Sequence, residues 1–330
     1  MRRRLTLCLV AMLPLAATGC GGDVRPAAAG RSVVVKDCAG KDVSFSAPPA
    51  KVVTLDGYAA QTMARLGLTG KIAGTGYPAP FTVDTSPYRE ELAKIPVLAE
   101  RVPVTEAVAA QRPDLVLTAF SAFGGPPGSP KDADLATMNA KGLAACLPGG
   151  DSPSGPALAD LAPTYDYIRK LGTVFGVQDR ADRLIAELRA RQDAVRTGGA
   201  RPRVMIVQDD PVAGQPIKTS GTGTIAHALL TLAGGENLFP DVHAMHADVS
   251  PEQVVKRDPE VIWVLTDYNF AKVKGRELVD EVRRNPLLSG TTAVKRGRVL
   301  STSQYLVSFP SPLNLDALEQ LAADLRAGGR

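Results

Sequence analysis

Short apolar runs alternate with amphipathic stretches along most of the chain, a pattern typical of parallel β-strands separated by α-helices. Residues 52–55 and 203–208 are mainly apolar runs of strand length, and residues 59–66 and 224–233 follow them with helical spacing. The pattern predicts an α/β protein with central parallel sheets.

One helix-to-strand unit occurs twice. Residues 104–117 and 250–263 align without a gap at a constant offset of 146 residues. Each copy begins as a short helix with a glutamate in its first turn, Glu106 or Glu252. A Pro-Asp or Pro-Glu break follows, and then an apolar run that suits a buried strand. The repeat predicts two similar α/β lobes.

A helical stripe stands between the two copies. Its apolar members recur at intervals of three, four and seven residues, and they are Leu158, Leu161, Tyr165, Ile168, Leu171 and Phe175. Pro163 suits a first helical turn, and Gly176 suits the end of a helix. The predicted fold class is therefore α/β, with two Rossmann-like lobes that contain central parallel sheets and are connected by one long α-helix.

Domain boundaries follow from this pattern. The Pro/Gly-rich residues 148–156 mark the predicted end of the first lobe. The predicted N-terminal α/β lobe covers residues 32–156, the inter-lobe helix residues 157–176, and the C-terminal α/β lobe residues 177–330.

The N-terminal segment predicts export. Three arginines precede an apolar run and a group of small residues, which together indicate a signal peptide over residues 1–19. The next residue, Cys20, gives the site a resemblance to a bacterial lipobox, although Ala17 stands where leucine is usual. The resemblance implies that Cys20 is lipidated, that residues 20–31 form a tether, and that the protein is anchored at the outer face of the cell membrane. An ordinary signal peptide is the alternative.

Charge and cysteine content narrow the function classes. Removal of the leader takes away three arginines and brings the formal net charge of +4 close to zero, and aromatic residues make up only 5% of the chain. Nucleic-acid binding is therefore not expected. Cys38 and Cys146 remain in the exported part, where a disulfide between them is the expected state. Two unrelated buried thiols are the alternative.

Candidate ligand-binding residues stand just beyond the predicted strands, because parallel sheets bind ligands at the carboxyl ends of their strands. These residues are Tyr58, Tyr77, Phe120, Ser121, Lys218, Ser220, Tyr268 and Tyr305. Tyrosines suit a bulky chelate, since each offers a flat apolar ring and a hydroxyl. Lys218, predicted near the start of a helix, suits an anionic group. Any of these residues could instead be an ordinary loop residue.

A resident metal is not predicted. His243 and His246, with Asp241 and Asp248, could coordinate a metal directly, but a surface loop accounts for them better. Trp263 falls inside a predicted strand and is expected in the core. An enzyme is also not expected, because the chain contains neither a Gly-x-Ser-x-Gly elbow, nor a Walker loop, nor a Gly-x-Gly-x-x-Gly segment after a strand.

Taken together, these segments resemble the substrate-binding lipoproteins of bacterial ABC importers for ferric siderophores and cobalamin. The resemblance rests on the order and spacing of residues 49–55, 66–68, 71–74, 106, 113–116, 220–221, 234–239, 249–254, 285–288 and 293–299. It implies two α/β lobes joined by one rigid helix. It also implies a monomer that binds a metal chelate in the cleft between the lobes, and the Cys38–Cys146 pair matches one found in some members.

The resemblance further implies a role for the repeated glutamates. In relatives, one glutamate per lobe pairs with arginines of the permease dimer, which works with an ATPase, and the matching positions are Glu106 and Glu252. A ferric siderophore is the first candidate ligand, with cobalamin, haem or another large cofactor precursor next, and such a ligand brings its own metal. A ligand-sensing lipoprotein and a chelatase-like enzyme are the alternatives from other classes.

Overall fold

The computed structural model describes residues 32–147, 157–197, 199–209, 211–212, 215–268 and 271–327. The predicted signal peptide, Cys20, the tether and the predicted lobe boundary at 148–156 lie outside these residues. Within the described residues, no helix combines the length and the apolar character needed to cross a membrane.

The first half of the described chain is built around a parallel sheet. Its elements in chain order are β1 (Val33–Lys36), β2 (Asp42–Phe45), β3 (Val52–Thr54), α1 (Gly57–Arg65), β4 (Ile72–Gly76), α2 (Arg89–Leu92), β5 (Val97–Ala99), α3 (Thr105–Ala110), β6 (Leu115–Thr118), α4 (Asp132–Thr137) and β7 (Lys141–Ala144). The sheet has the order β5-β4-β3-β6-β7, with every neighbouring pair parallel. Strands β1 and β2 form a separate antiparallel hairpin.

The second half repeats this plan around another parallel sheet. Its elements are α5 (Ala162–Phe175), α6 (Gln178–Ala194), β8 (Arg203–Val207), β9 (Ile217–Ser220), α7 (Ile225–Leu232), β10 (Glu236–Asn237), β11 (His246–Val249), α8 (Pro251–Arg257), β12 (Val261–Thr266), α9 (Gly275–Arg284), α10 (Thr292–Lys295), β13 (Val299–Ser303) and α11 (Asn314–Ala327). The parallel order is β10-β8-β12-β13, and β9 pairs antiparallel with β11. The predicted fold class, two Rossmann-like α/β lobes, is confirmed.

The helix between the halves is shorter than predicted. Helix α5 begins at Ala162 rather than at residue 157, with Pro163 in its first turn. Leu158 is buried but lies before the helix, and its N–H donates to the carbonyl of Thr222 in the second half at 2.7 Å. The predicted end is confirmed, because Gly176 has a φ of +67° and the Val177 N–H donates back to the Gly172 carbonyl at 2.8 Å.

The sequence repeat is also a structural repeat. Arg112 and Asp258, which occupy equivalent positions, both have positive φ values of 50° and 44°. Each precedes a proline and an acid that binds the start of the first strand of the parallel sheet in its half. Asp114 accepts the Lys51 N–H at 3.0 Å, and Glu260 accepts the Arg203 N–H at 3.0 Å. The Pro-Asp and Pro-Glu breaks therefore fasten the repeated unit to its own sheet.

Helix α4 and strand β7 were not predicted. Both are short, and β7 begins with Lys141 and Gly142, which hide the apolar pattern of a strand. A Cβ at Gly142 would lie 2.6 Å from the Leu135 side chain and 2.7 Å from that of Phe123. A glycine is required here because α4 packs directly on the strand, so this position is set by a tertiary contact.

One large core cluster extends through both halves by way of α5. It includes Leu117 from the first half, Ile168 from α5, and Leu229 with Leu321 from the second half. Trp263 is 1% exposed, which confirms the prediction that it belongs to the core. The disulfide between Cys38 and Cys146 is present, with their Cα atoms 5.1 Å apart. It links the β1–β2 hairpin to the end of the first sheet.

Candidate functional site

Each parallel sheet has one point at which its strand order reverses. In the first sheet this point lies between β3 and β6, because β4 and β5 extend the sheet on the β3 side and β7 extends it on the β6 side. In the second sheet it lies between β8 and β12, with β10 beyond β8 and β13 beyond β12. Ligands of open α/β sheets bind beyond the carboxyl ends of the strands at such a reversal. Tyr58 and Phe120 follow β3 and β6, and Gln208 and Tyr268 follow β8 and β12.

Five aromatic rings from the two halves contact one another at this position, and we call them the aromatic cluster. Its members are Tyr58, Tyr77, Phe120, Tyr305 and Phe309. Phe120 and Phe309 have ring centroids 4.5 Å apart, and Tyr58 and Phe309 have centroids 5.4 Å apart. Tyr77 lies 6.1 Å from Tyr305 in an edge-on arrangement. Four of the predicted ligand-binding residues thus meet at one place.

Local backbone geometry positions the rings of the first half. Tyr77 has a φ of 42°, and its N–H donates to the carbonyls of Ala99 and Arg101, both at 3.1 Å. Its own carbonyl accepts the Gly57 N–H at 3.1 Å, which ties it to the first turn of α1. Tyr58 lies just beyond β3, as the sequence predicts, and because α1 begins almost directly after that strand it also lies in the first turn of the helix. It is only 1% exposed.

Phe309 was missed by sequence reasoning. It lies in the loop between Tyr305 and α11, and it contacts both Tyr58 and Phe120. The sequence feature that could have identified it is an aromatic residue between Ser308 and Pro310, shortly after a predicted strand. Its position is fixed by Asn314, whose side-chain amide donates to the Phe309 carbonyl at 3.1 Å.

Burial favours the neutral phenol form of two cluster tyrosines, Tyr58 and Tyr305. Burial raises the pKa of Tyr58 well above its usual range. Burial also raises the pKa of Tyr305, and the charge of Asp267 adds to this effect, whereas side-chain hydrogen bonds with Tyr77 and Gln304 oppose it. The hydrogen bond between Tyr77 and Tyr305 connects the two halves directly across the cluster.

A second group of side chains, the polar patch, lies beyond the second sheet. It contains Gln208, Lys218, Ser220, His246 and Tyr268. Gln208 Nε2 donates to Ser220 Oγ at 2.6 Å, and Gln208 Oε1 accepts from His246 Nδ1 at 2.8 Å. The His246 and Tyr268 rings lie 6.0 Å apart. Because an amide oxygen can only accept, this contact places the proton of a neutral His246 on Nδ1.

Three predictions about the local structure of this patch were wrong. Lys218 and Ser220 lie within strand β9, not beyond a strand, and Ser220 is 1% exposed. Helix α7 begins only at Ile225, so Lys218 is not at a helix start. His246 is the first residue of β11 rather than part of a surface loop. The pairing of β9 with β11 was not predicted, because both strands are short and carry polar residues.

A hydrogen bond between sequence neighbours of Tyr305 and Tyr268 joins the aromatic cluster to the polar patch. Gln304, next to Tyr305, donates from Nε2 to the main-chain carbonyl of Asp267 at 2.6 Å, and Asp267 precedes Tyr268. Asp267 has a φ of 65°. The two groups therefore lie next to each other at the ends of β12 and β13.

Ser121 adds a buried hydroxyl beside Phe120. It is 7% exposed, and its Oγ makes no hydrogen bond among the described residues. Leaving a buried hydroxyl without a partner costs free energy. This hydroxyl is therefore a candidate hydrogen-bonding group for a ligand.

The described residues contain no group of three or more His, Cys, Asp or Glu side chains that could hold a metal ion. His243 Nδ1 is within 2.9 Å of the Thr222 hydroxyl, and His227 Nδ1 is within 3.2 Å of Asn237 Nδ2. Burial lowers the pKa of His227. With the His246–Gln208 contact, all three histidines thus belong to hydrogen-bonded pairs within the second half.

The two repeated glutamates occupy matching exposed positions. Glu106 lies in the first turn of α3 and Glu252 in the first turn of α8. Ser250 caps α8 by accepting the Gln253 N–H at 3.3 Å. The Glu252 backbone N–H, and next the Ser250 hydroxyl, lower the pKa of the Glu252 carboxyl. Their role in docking stays a prediction.

Two α/β halves whose aromatic rings contact one another at the strand ends have the architecture of a two-lobed binding protein. A family model described as periplasmic binding protein matches residues 52–306, which contain all but one ring of the aromatic cluster. The chain belongs to the periplasmic binding protein family. Members of this family are binding proteins rather than enzymes.

Relatives within and around this family carry different ligand names. A cobalamin-binding protein from Halobacterium salinarum is 24% identical over 308 residues, covering 88% of this chain and 73% of its own. The solved structure of an ABC-type Fe3+-hydroxamate transport system from Saccharomonospora viridis superposes with a TM-score of 0.73 at 26% identity, over 88% of this chain and 98% of its own. A periplasmic haem-binding protein from Roseiflexus shares the fold, with a TM-score of 0.67 at 22% identity over 85% of this chain and 99% of its own.

Proposed function

We propose that this chain is an exported, lipid-anchored substrate-binding protein of an ABC importer. It binds a metal chelate between its two halves and delivers the chelate to the permease as a monomer. The observation that carries the proposal is the aromatic cluster, in which rings from both halves meet at the carboxyl ends of the strands. Sites lined by aromatic rings with a few polar groups, located between domains, are typical of small-molecule binding.

A ferric siderophore is the first candidate ligand, and cobalamin or haem is the next. Each is bulky and presents apolar surface that can stack on rings, while the hydroxyls of Tyr77, Tyr305 and Ser121 can hydrogen-bond to its polar groups. The names of the relatives support this range of ligands. Such a ligand carries its own metal, so the protein itself requires no resident ion or cofactor.

Ligand titration of the purified protein tests the binding role. We expect a ferric hydroxamate, cobalamin or haem to bind with one-to-one stoichiometry and to be recovered unchanged. Replacing Phe309 by alanine should weaken binding at least about tenfold, because aromatic residues at the centre of an interface carry much of its binding energy. Tyr88→Ala is the matched control, since Tyr88 is a half-buried aromatic residue that packs on Arg65 outside the cluster. Equal effects of the two variants, or no binding at all, would contradict the proposal.

Glu106 and Glu252 are the proposed contacts with the permease. Two carboxylates held on one rigid body give orientation to docking more than affinity, and the helix dipole favours their ionised form at these first-turn positions. We expect Glu106→Ala and Glu252→Ala to reduce cellular uptake of the chelate without changing its affinity. The double variant Glu90→Ala/Glu277→Ala is the control, because both residues are exposed acids in first helical turns. Normal uptake by the Glu106→Ala/Glu252→Ala double variant would refute this assignment.

The proposed anchor at Cys20 has its own test. Cys20→Ser should remove the lipid-dependent mass increase of the mature chain and release the protein from the membrane fraction. Retention of the variant in the membrane fraction would show that another segment anchors it.

A further inference from the structure

The charges around the aromatic cluster bear on which chelates the site accepts. The cluster consists of five aromatic rings, two of which carry the neutral phenols of Tyr58 and Tyr305, and the face of an aromatic ring carries partial negative charge. Ring faces therefore attract cations and accept neutral apolar groups, and they disfavour anions. The cluster alone favours a ligand without net negative charge.

Two acidic residues lie against the cluster. Asp56 caps the helix that carries Tyr58, and it accepts the Ala59 N–H at 2.9 Å. Asp267 lies against Tyr305 through the hydrogen bond between its main-chain carbonyl and Gln304. Neither acid can attract an anionic ligand, and an ionised carboxylate at either position repels one.

Lys218 is matched by an acid within the polar patch. Asp248 stands directly opposite Lys218 in the pairing of β9 with β11, and the Lys218 Nζ is 3.2 Å from Asp248 Oδ1. Strand pairing places these two residues opposite each other, so a carboxylate lies close to the charge of the lysine. Burial raises the pKa of the neighbouring Tyr268; Lys218 lowers that pKa, and Asp209 and Asp248 raise it further. Among the described residues, two acids and one lysine thus act on the Tyr268 hydroxyl.

Arg101 is a cation beside the first half of the cluster. Its main-chain carbonyl accepts the Tyr77 N–H at 3.1 Å, and the residue is exposed. Because it is exposed, its charge is screened by solvent and salt more than that of a buried group.

From this arrangement we propose that the site selects chelates that are neutral or positively charged, such as a corrinoid or a ferric trihydroxamate. It rejects anionic chelates, such as a ferric tris-catecholate or haem with its two propionates. This inference rests on the proposed function, because it specifies the charge class of the ligand at the same site.

Calorimetric titration at low and high salt tests the inference with four probes: cyanocobalamin, an uncharged ferric trihydroxamate, a ferric tris-catecholate and haem. We expect at least one of the first two to bind at least about tenfold more tightly than either anionic probe, with little dependence on salt. A smaller preference, or tighter binding of an anionic probe that is lost at high salt or in Arg101→Ala, overturns the inference and leaves the proposed function intact. If none of the four binds, the proposed function fails, and the inference fails with it.

A charge variant gives a second readout. Asp248→Asn removes the carboxylate beside Lys218 and should raise affinity for the anionic probes about tenfold. Asp280→Asn is the matched control, because Asp280 forms a similar exposed pair with Arg283 at 3.5 Å on α9. Equal responses of the two variants would contradict a role for the Lys218–Asp248 pair in charge selection.

Discussion

The Thr164 hydroxyl donates to the side-chain oxygen of Asn314 at 3.0 Å, which fastens the helix between the two halves to the start of the last helix. The same oxygen accepts the Ser311 N–H at 2.9 Å. The amide nitrogen of Asn314 donates to the carbonyls of Leu306 at 2.9 Å and Phe309 at 3.1 Å. One fully buried side chain therefore determines the path of the loop that carries Tyr305 and Phe309.

Replacing Asn314 by alanine should both destabilise the protein and weaken ligand binding. The change leaves two loop carbonyls and one N–H without partners, so we expect the free energy of unfolding to fall by about 2–4 kcal/mol. The loop then loses its position, and affinity for the chelate falls as well. Denaturant unfolding and titration of the same samples measure the two effects.

Thr164→Val is the control for this variant. It removes only the hydrogen bond from the Thr164 hydroxyl on α5 to Asn314. The free energy of unfolding should fall by about 1 kcal/mol, and ligand affinity should be retained. A loss of affinity in Thr164→Val as large as that in Asn314→Ala would show that the loop is not positioned by Asn314 itself.

Asp56 predicts a distinctive dependence of stability on pH. Its buried carboxyl accepts the Thr118 hydroxyl at 2.7 Å and the Ala119 N–H at 2.9 Å. Burial raises its pKa above the usual 3.8, and these hydrogen bonds offset the rise only in part. The stability that Asp56 contributes is therefore complete below its unfolded pKa and is lost as pH rises through its folded pKa. The free energy of unfolding of the wild type minus that of Asp56→Asn should fall as the pH rises from 4 to neutrality. A difference that rises over this range would contradict the prediction.

Asp84 should show the opposite trend. Burial tends to raise its pKa, but hydrogen bonds from Arg65 and Ser86 outweigh burial, so its pKa is lowered. Its stabilising contribution is present above its unfolded pKa and is lost as pH falls through the folded pKa. At neutral pH we expect Asp84→Asn to lower the free energy of unfolding by about 2–4 kcal/mol, since the Arg65–Asp84 pair at 3.2 Å is buried. In denaturant unfolding below pH 4 the difference should shrink, and a constant difference would rule out the ion pair as its source.

Loss of the disulfide should destabilise the protein strongly. Cys38 and Cys146 are 108 residues apart, and closing a loop of this length contributes about 4–5 kcal/mol in the chain-entropy model. We expect a large shift of the urea midpoint on reduction of the wild type and a similar shift in Cys38→Ser/Cys146→Ser without reductant. The double variant should not respond to reductant, and a response would point to an effect outside this disulfide.

Much of the fold could be predicted because its elements are marked locally. The buried strands β3, β6, β8 and β12 are apolar runs, and the helices between them follow regular spacing. The repeat was visible because both copies need the same turn before the strand, as the positive φ values of Arg112 and Asp258 show. Tyr77, Phe120 and Tyr305 could be named as site candidates because residues that follow parallel strands meet at one edge.

The remaining features depend on contacts that are distant in sequence. Strand β9 exists because Lys218 and Ser220 pair with Asp248 and His246, and neither strand has an apolar pattern of its own. Phe309 joins the cluster only because Asn314 holds its loop, a relationship that hydrophobic patterning does not reveal.

By itself, the sequence determined two α/β halves, the helix between them and the residues at the ends of their strands, because periodic burial leaves a local record along the chain. Only the tertiary structure decided that rings from both halves form one cluster and that Lys218 faces Asp248. Those relationships arise from how the sheets and loops pack, and packing brings together residues that no local pattern connects.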